Sequence, residues 1–169
     1  MFTDNNDFYK SGRYPYGTKL KDIIPTEIPY KDSSLLPLEE TYAFLGYNTN
    51  EELDHGIAFN PDDIVTGTKN YYAIFKRVSV YDKLNIHEDY FDFSETSYNS
   101  GDDPYSQYHI TGYRITTKPD LNLKGKITIP LTYNNQPVIS IGVFSNNPNI
   151  THIFIDGNDK QCKIRRIEE

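Results

Sequence analysis

The sequence predicts a mainly β chain of two small units, residues 1–81 and 108–169, joined by an acidic linker over 82–107. Three observations predict it. Tyr and Phe are abundant, 15 and 9 of 169 residues, and Trp is absent. Strand-like runs are short and often interrupted by Pro, Asn or Gly. Acids crowd into one stretch between the strand-bearing parts.

In the first part, Pro15, Pro25, Pro29 and Pro37 break up the opening forty residues. Two short helices are expected, over Ser33–Glu40 and Asn50–His55. In the second, Asn50 is placed to cap, and Glu51 and Glu52 stand at the positive helix end. Tyr42 to Tyr47 and Asn70 to Val78 read as strands, with a turn at Asn60-Pro61-Asp62-Asp63 between them.

From Asp82 to Tyr105, seven acids (Asp82, Glu88, Asp89, Asp92, Glu95, Asp102, Asp103) face one base, Lys83. Ser100-Gly101-Asp102-Asp103-Pro104 has loop chemistry. Tyr90, Phe91 and Phe93 give this linker rings to dock with, so it reads as tethered.

In the last part, Tyr108–Tyr113, Lys126–Pro130, Pro137–Gly142 and Thr151–Gly157 read as strands, with Asn134-Asn135 as a turn. Strands this short and turns this frequent place the chain in the mainly β class.

Hydrophobic residues make up 37% of the chain, below the usual globular share, yet aromatics reach 14%, which excludes a disordered polymer. Tyrosine has an apolar face and one hydrogen-bonding tip. It suits half-wet strands, and equally a ring-lined contact surface.

The net charge is −7, unevenly spread. Residues 1–107 hold 9 Lys+Arg against 19 Asp+Glu, and residues 108–169 hold 8 against 5. The acidic part repels phosphate backbones, and the basic surplus is too scattered for a phosphate track, so nucleic acid is not an expected partner. The single Cys162 makes no intrachain disulfide and no Cys-based zinc site. No apolar run is long enough to span a bilayer, so no membrane insertion is expected, and Met1 to Lys10 is too polar for a signal peptide.

Two segments resemble known repeat families. Tyr16-Gly17-Thr18, Tyr42-Ala43-Phe44-Leu45-Gly46-Tyr47 and Tyr72-Ala73-Ile74-Phe75 resemble the Listeria–Bacteroides (internalin B-like) repeat, which implies a small β-grasp-like unit. Tyr47 stands where that family usually has Trp. Lys126-Ile127-Thr128-Ile129-Pro130, then Tyr133 through Gly142, then Val143 through Ile155, resemble the start of a BspA-type leucine-rich-repeat array. That resemblance implies one short β-rich coil, with Ile150, Ile153 and Ile155 as its inward stack and Asn149 turning the chain between strand and curved side. A solenoid needs about three or more stacked repeats for a buried core. One coil therefore implies a longer array, or closure by other elements or a neighbouring subunit. The two resemblances cover roughly two thirds of the chain. They imply attachment, display and spacing in bacterial surface proteins or phage virion parts.

No catalytic constellation assembles from the sequence. His55, His87, His109 and His152 are not at metal-ligand spacing, and His87 lies beside Glu88 and Asp89. There is no G-x-S-x-G, and Gly125 lacks the companion glycines of a phosphate loop. Cations flank Cys162 in Lys160-Gln161-Cys162-Lys163. Adjacent acids at Glu39/Glu40, Glu51/Glu52, Asp62/Asp63 and Asp102/Asp103 point apart rather than into one cleft. Asp4-Asn5-Asn6-Asp7 and Ser100–Asp103 offer oxygens for calcium but match neither the EF-hand nor the RTX spacing.

The expectation is a non-enzymatic structural or adhesive module, in a virion tail, baseplate or fibre or on a bacterial surface. It would act through contacts with other protein subunits, its own copies included, and needs no cofactor or metal. Tyr42, Tyr47, Tyr71 and Tyr133 are the candidate partner-binding residues. The alternative is a carbohydrate-binding module on a host or cell surface, which requires clustered, exposed rings in a groove. An enzyme would instead require a pocket holding a His or carboxylate of shifted pKa.

Overall fold

The computed structural model describes residues 2–4, 7–10, 12–25, 27–49, 60–99, 109–142, 144, 147–156 and 162–168. The chain is mainly β and divides into two units, Met1–Val78 and Ser79–Glu169.

The first unit holds β1 (Phe2–Asp4), β2 (Asp7–Lys10), β3 (Glu40–Asn48) and β4 (Tyr71–Ser79). They form one mixed sheet in the order β2-β1-β4-β3, with β1 antiparallel to β2 and parallel to β4. β3 and β4 lie where alternating aromatic and small residues predict strands. β1 and β2 lie in the polar N-terminus, where no strand is expected. Leu20, Ile23, Tyr47, Tyr71 and Ala73 form the buried cluster, with Tyr14, Ile24, Phe44, Val65 and Phe75 packed on it.

The helix expected over Ser33–Glu40 is not there. Asp32 accepts hydrogen bonds from the Ser34 N–H and hydroxyl, and Leu36 and Glu40 donate back to Ser33 and Pro37 in separate turns. A short polar side chain bonded to nearby backbone competes with a helix, and Pro37 cannot donate within one. The second expected helix, Asn50–His55, lies outside the described residues. The turn expected at Asn60–Asp63 is present, closed by the Asp63 N–H on the Asn60 carbonyl.

The second unit contributes β5 (Phe91–Asn99), β6 (His109–Thr117), β7 (Gly125–Ile129), β8 (Thr132–Tyr133), β9 (Gln136–Ile141), β10 (Ile150–Ile155) and β11 (Arg166–Ile167). One sheet runs β11-β9-β6-β5, with β8 paired to β9, and β10 and β7 form a second. Residues 91–99 of the stretch read as a linker are a strand, paired antiparallel with β6 from Phe91↔Thr117 to Asn99↔His109. Asn134 and Asn135 both take positive φ, 49° and 61°, as the tight β8–β9 hairpin requires.

A leucine-rich-repeat-like coil is not shown. Such a coil has one strand ladder and a curved side, whereas here the chain alternates between two ladders. In the first, Ile115 pairs with Ile141, and Ile141 with Ile167. In the second, Ile127 pairs with Ile153 and Ile129 with Ile155. All four pairs are parallel and separated by 26 positions. The cause is β-branched residues at both the I-x-I-P and the V-x-x-I-G elements, so both become strands.

Burial falls off along each row. Ile115, Ile141 and Ile167 are 0%, 5% and 67% exposed, and Ile127 and Ile153 are 6% and 46%. Of the inward stack expected at Ile150, Ile153 and Ile155, Ile153 is exposed and the other two are half-buried. Asn149 does turn the chain into β10, and its amide donates to the Asn122 side chain at 3.3 Å.

Candidate functional site

The four candidate tyrosines fall into three settings. Tyr47 ends β3 and Tyr71 opens β4, so the pairing of those strands brings together two rings far apart in sequence. Both are buried core members. Their edges line a cleft of about 330 Å³ with Leu20, Asn48, Asn60, Asp63 and Lys69.

Local hydrogen bonds build the wall of this cleft. Residues 17–21 run along 61–65: Leu20 N–H donates to the Asp63 carbonyl at 2.8 Å, and Val65 N–H to the Thr18 carbonyl at 2.9 Å. The Asn60 side chain accepts from Asp62 N–H and donates to the Asp63 carboxylate, both at 3.1 Å. Lys21 and Lys19 reach Asp62 at 3.1 and 3.2 Å and hold its carboxyl below the usual range. Burial, then the Asp63 charge, raises the pKa of the Tyr71 hydroxyl. Among the described residues the arrangement has rings, amides, one carboxylate and one ammonium, but no base set against a nucleophile.

Tyr42 lies outside this cleft. It is half-buried on β3, with the Lys31 ammonium 4.7 Å above its ring. Such a cation–π contact already occupies that face of the ring.

Tyr133 belongs to the second unit, in an aromatic cluster that the sequence does not announce. Its ring stacks on Phe93 at 3.8 Å and 4°, and Tyr113 meets it edge-on at 5.1 Å. Phe93 comes from the stretch read as a linker. The β5–β6 pairing sets Phe93 opposite Ile115, and the β6–β9 and β8–β9 pairings bring Tyr133 to it.

Other candidate groups stand apart. His87 stacks on Tyr90 at 4.4 Å. Burial lowers its pKa, with Asp89 opposing in part. Tyr90 is pushed up to about 12, first by burial and then by Asp89. His109 and His152 are exposed on β6 and β10, and Cys162 is exposed. Among the described residues no three His, Cys, Asp or Glu are grouped to hold a metal ion. His55, the acids at 51–52 and 102–103, and Asn5 and Asn6 lie outside the described residues. No described helix is long and apolar enough to cross a membrane.

Comparison of the chain with family models, with curated proteins and with solved structures finds no match.

Proposed function

We propose that this chain is a non-enzymatic structural or adhesive module of a phage virion or bacterial surface protein, acting through protein–protein contacts. One observation carries the reading. The apolar rows of the second unit are sealed at β6 and β7 and bare at β11 and β10, where Ile167 and Ile153 are 67% and 46% exposed. Bare isoleucines on outer strands favour a partner that completes both the sheet and its apolar row. The resemblance to surface-protein repeats points the same way.

Light scattering over a tenfold or greater concentration range tests the reading, alone and with proteins of the same surface or virion. Association that weakens in the Ile153→Asp, Ile167→Asp double variant is the expected result. Binding unchanged by that variant would move the contact elsewhere.

A second reading, a carbohydrate-binding module, is favoured by the cleft that joins Tyr47 and Tyr71 with Asn48, Asn60, Asp63 and Lys69. Amides, a carboxylate and an ammonium around this cleft suit hydrogen bonds to glycan hydroxyls, while Tyr47 and Tyr71 wall it as buried rings. A glycan array repeated with Asp63→Ala tests it. Retained glycans lost in the variant support it, and an empty array removes it.

A further inference from the structure

The five-stranded sheet of the second unit has two outer strands of opposite charge. At one edge, β5 carries exposed Asp92 and Glu95, and exposed Glu88 and Asp89 lead into it. The one cation of that approach is Lys83. At the other edge, β11 begins with exposed Arg166, and exposed Lys163 and Arg165 precede it. The carboxylate there, Glu168, is engaged by Arg114 from within the sheet and by Arg166 at 3.5 Å. Among the described residues, β5 pairs only with β6 and β11 only with β9.

We propose that copies of this chain associate head to tail, the β11 edge of one pairing with the β5 edge of the next. The inference rests on the protein-contact reading above and names the partner. Three observations fit this occupant.

The first is charge. The two edges attract, whereas β11 against β11 would oppose six cations and β5 against β5 would oppose acids. The second is direction. β11 and β9 run parallel to β6, and β5 runs antiparallel to it. In a repeated stack, β5 of the next copy therefore meets β11 antiparallel, the relation β5 already has to β6. The third is the apolar row. Phe93, Ile115, Ile141 and Ile167 stand in one line across the sheet, so the next copy's Phe93 falls beside the bare Ile167 and continues it. Such a contact uses different patches on the two partners, so it does not stop at a two-fold dimer and builds a ring or an open filament.

The test is light scattering of the full chain across a concentration series, at low and high salt. It uses the wild type, the variant Arg165→Glu with Arg166→Glu, and the variant Asp92→Lys with Glu95→Lys. The wild-type mass is expected to rise past a dimer and to fall at high salt, where exposed charges are screened. Each reversed variant alone should associate about tenfold more weakly or worse. An equimolar mixture of the two should recover masses above a dimer, because each then offers the edge the other has lost. Circular dichroism of each variant checks the fold, and the wild-type salt series stands even where a variant misfolds. A plateau at a dimer, or association indifferent to salt or to both reversals, overturns the head-to-tail contact and leaves the protein-contact reading standing. Monomer at every concentration overturns the inference too, and the measurement with foreign surface or virion proteins then decides the broader reading separately.

Discussion

Asn147 is 2% exposed, and its side chain holds three segments together. Its carbonyl oxygen accepts from Leu123 N–H at 2.7 Å, and its amide donates to the Thr117 hydroxyl at 2.8 Å and the Lys118 carbonyl at 3.3 Å. Asn147→Ala removes all three bonds and buries an unmet N–H at Leu123. The expected loss of stability is about 1–3 kcal/mol, read from the denaturation midpoint. Asn147→Asp should not rescue it, since a carboxylate cannot donate to the Lys118 carbonyl. His87 gives a second prediction. Its folded pKa is depressed below the ordinary 6.5, chiefly by burial. The unfolded chain therefore binds this proton first as pH falls, and its share of stability is full above about 6.5 and declines below it. His87→Gln should flatten that decline in a pH series of thermal midpoints. A decline of unchanged slope would assign it to other groups.

At the scale of the element, the β6–β9 pair depends on Gly112. A Cβ built there would collide with the Pro137 carbonyl oxygen and touch the Ile139 side chain. Gly112→Ala should cost about 1–3 kcal/mol, with urea unfolding as the readout. Some elements were legible because their cause is local. β3, β4, β7, β9 and β10 announce themselves by β-branched and aromatic residues, and the β8–β9 hairpin by two adjacent asparagines. β1, β2 and β5 did not. They are polar or acidic runs, and pairing with a neighbour makes them strands: Glu95 has Tyr113 as its partner and Ser97 has Thr111. The candidate site divides the same way. Tyr47, Tyr71 and Tyr133 are legible as candidate contact rings from the chemistry of tyrosine alone. That two of them share a cleft, and that the third stacks on Phe93, follows from strand order, which no local pattern encodes. Tyr42 is a candidate on the same ground, and Lys31 lies over its ring.

Across the whole chain, acids dominate up to residue 107 and bases thereafter, a contrast visible in composition alone. Its meaning needed topology, which sets the acidic run and the basic C-terminal residues on opposite edges of one sheet. The fall in burial along the isoleucine rows makes a further prediction. Hydrogen exchange should be slowest in β6 and β9 and faster in β11, because an outer strand opens without disturbing the inner ones. Equal protection throughout the second unit would contradict this ordering. The constant step of 26 positions between paired isoleucines carries one more consequence. It makes the chain a ruler with a fixed graduation. Inserting a copied stretch of 26 residues between one coil and the next keeps every isoleucine on its row, whereas an insertion one residue longer turns a whole strand's inward face outward. Lengthening of this unit is therefore quantised, and a longer form of it should differ in whole graduations.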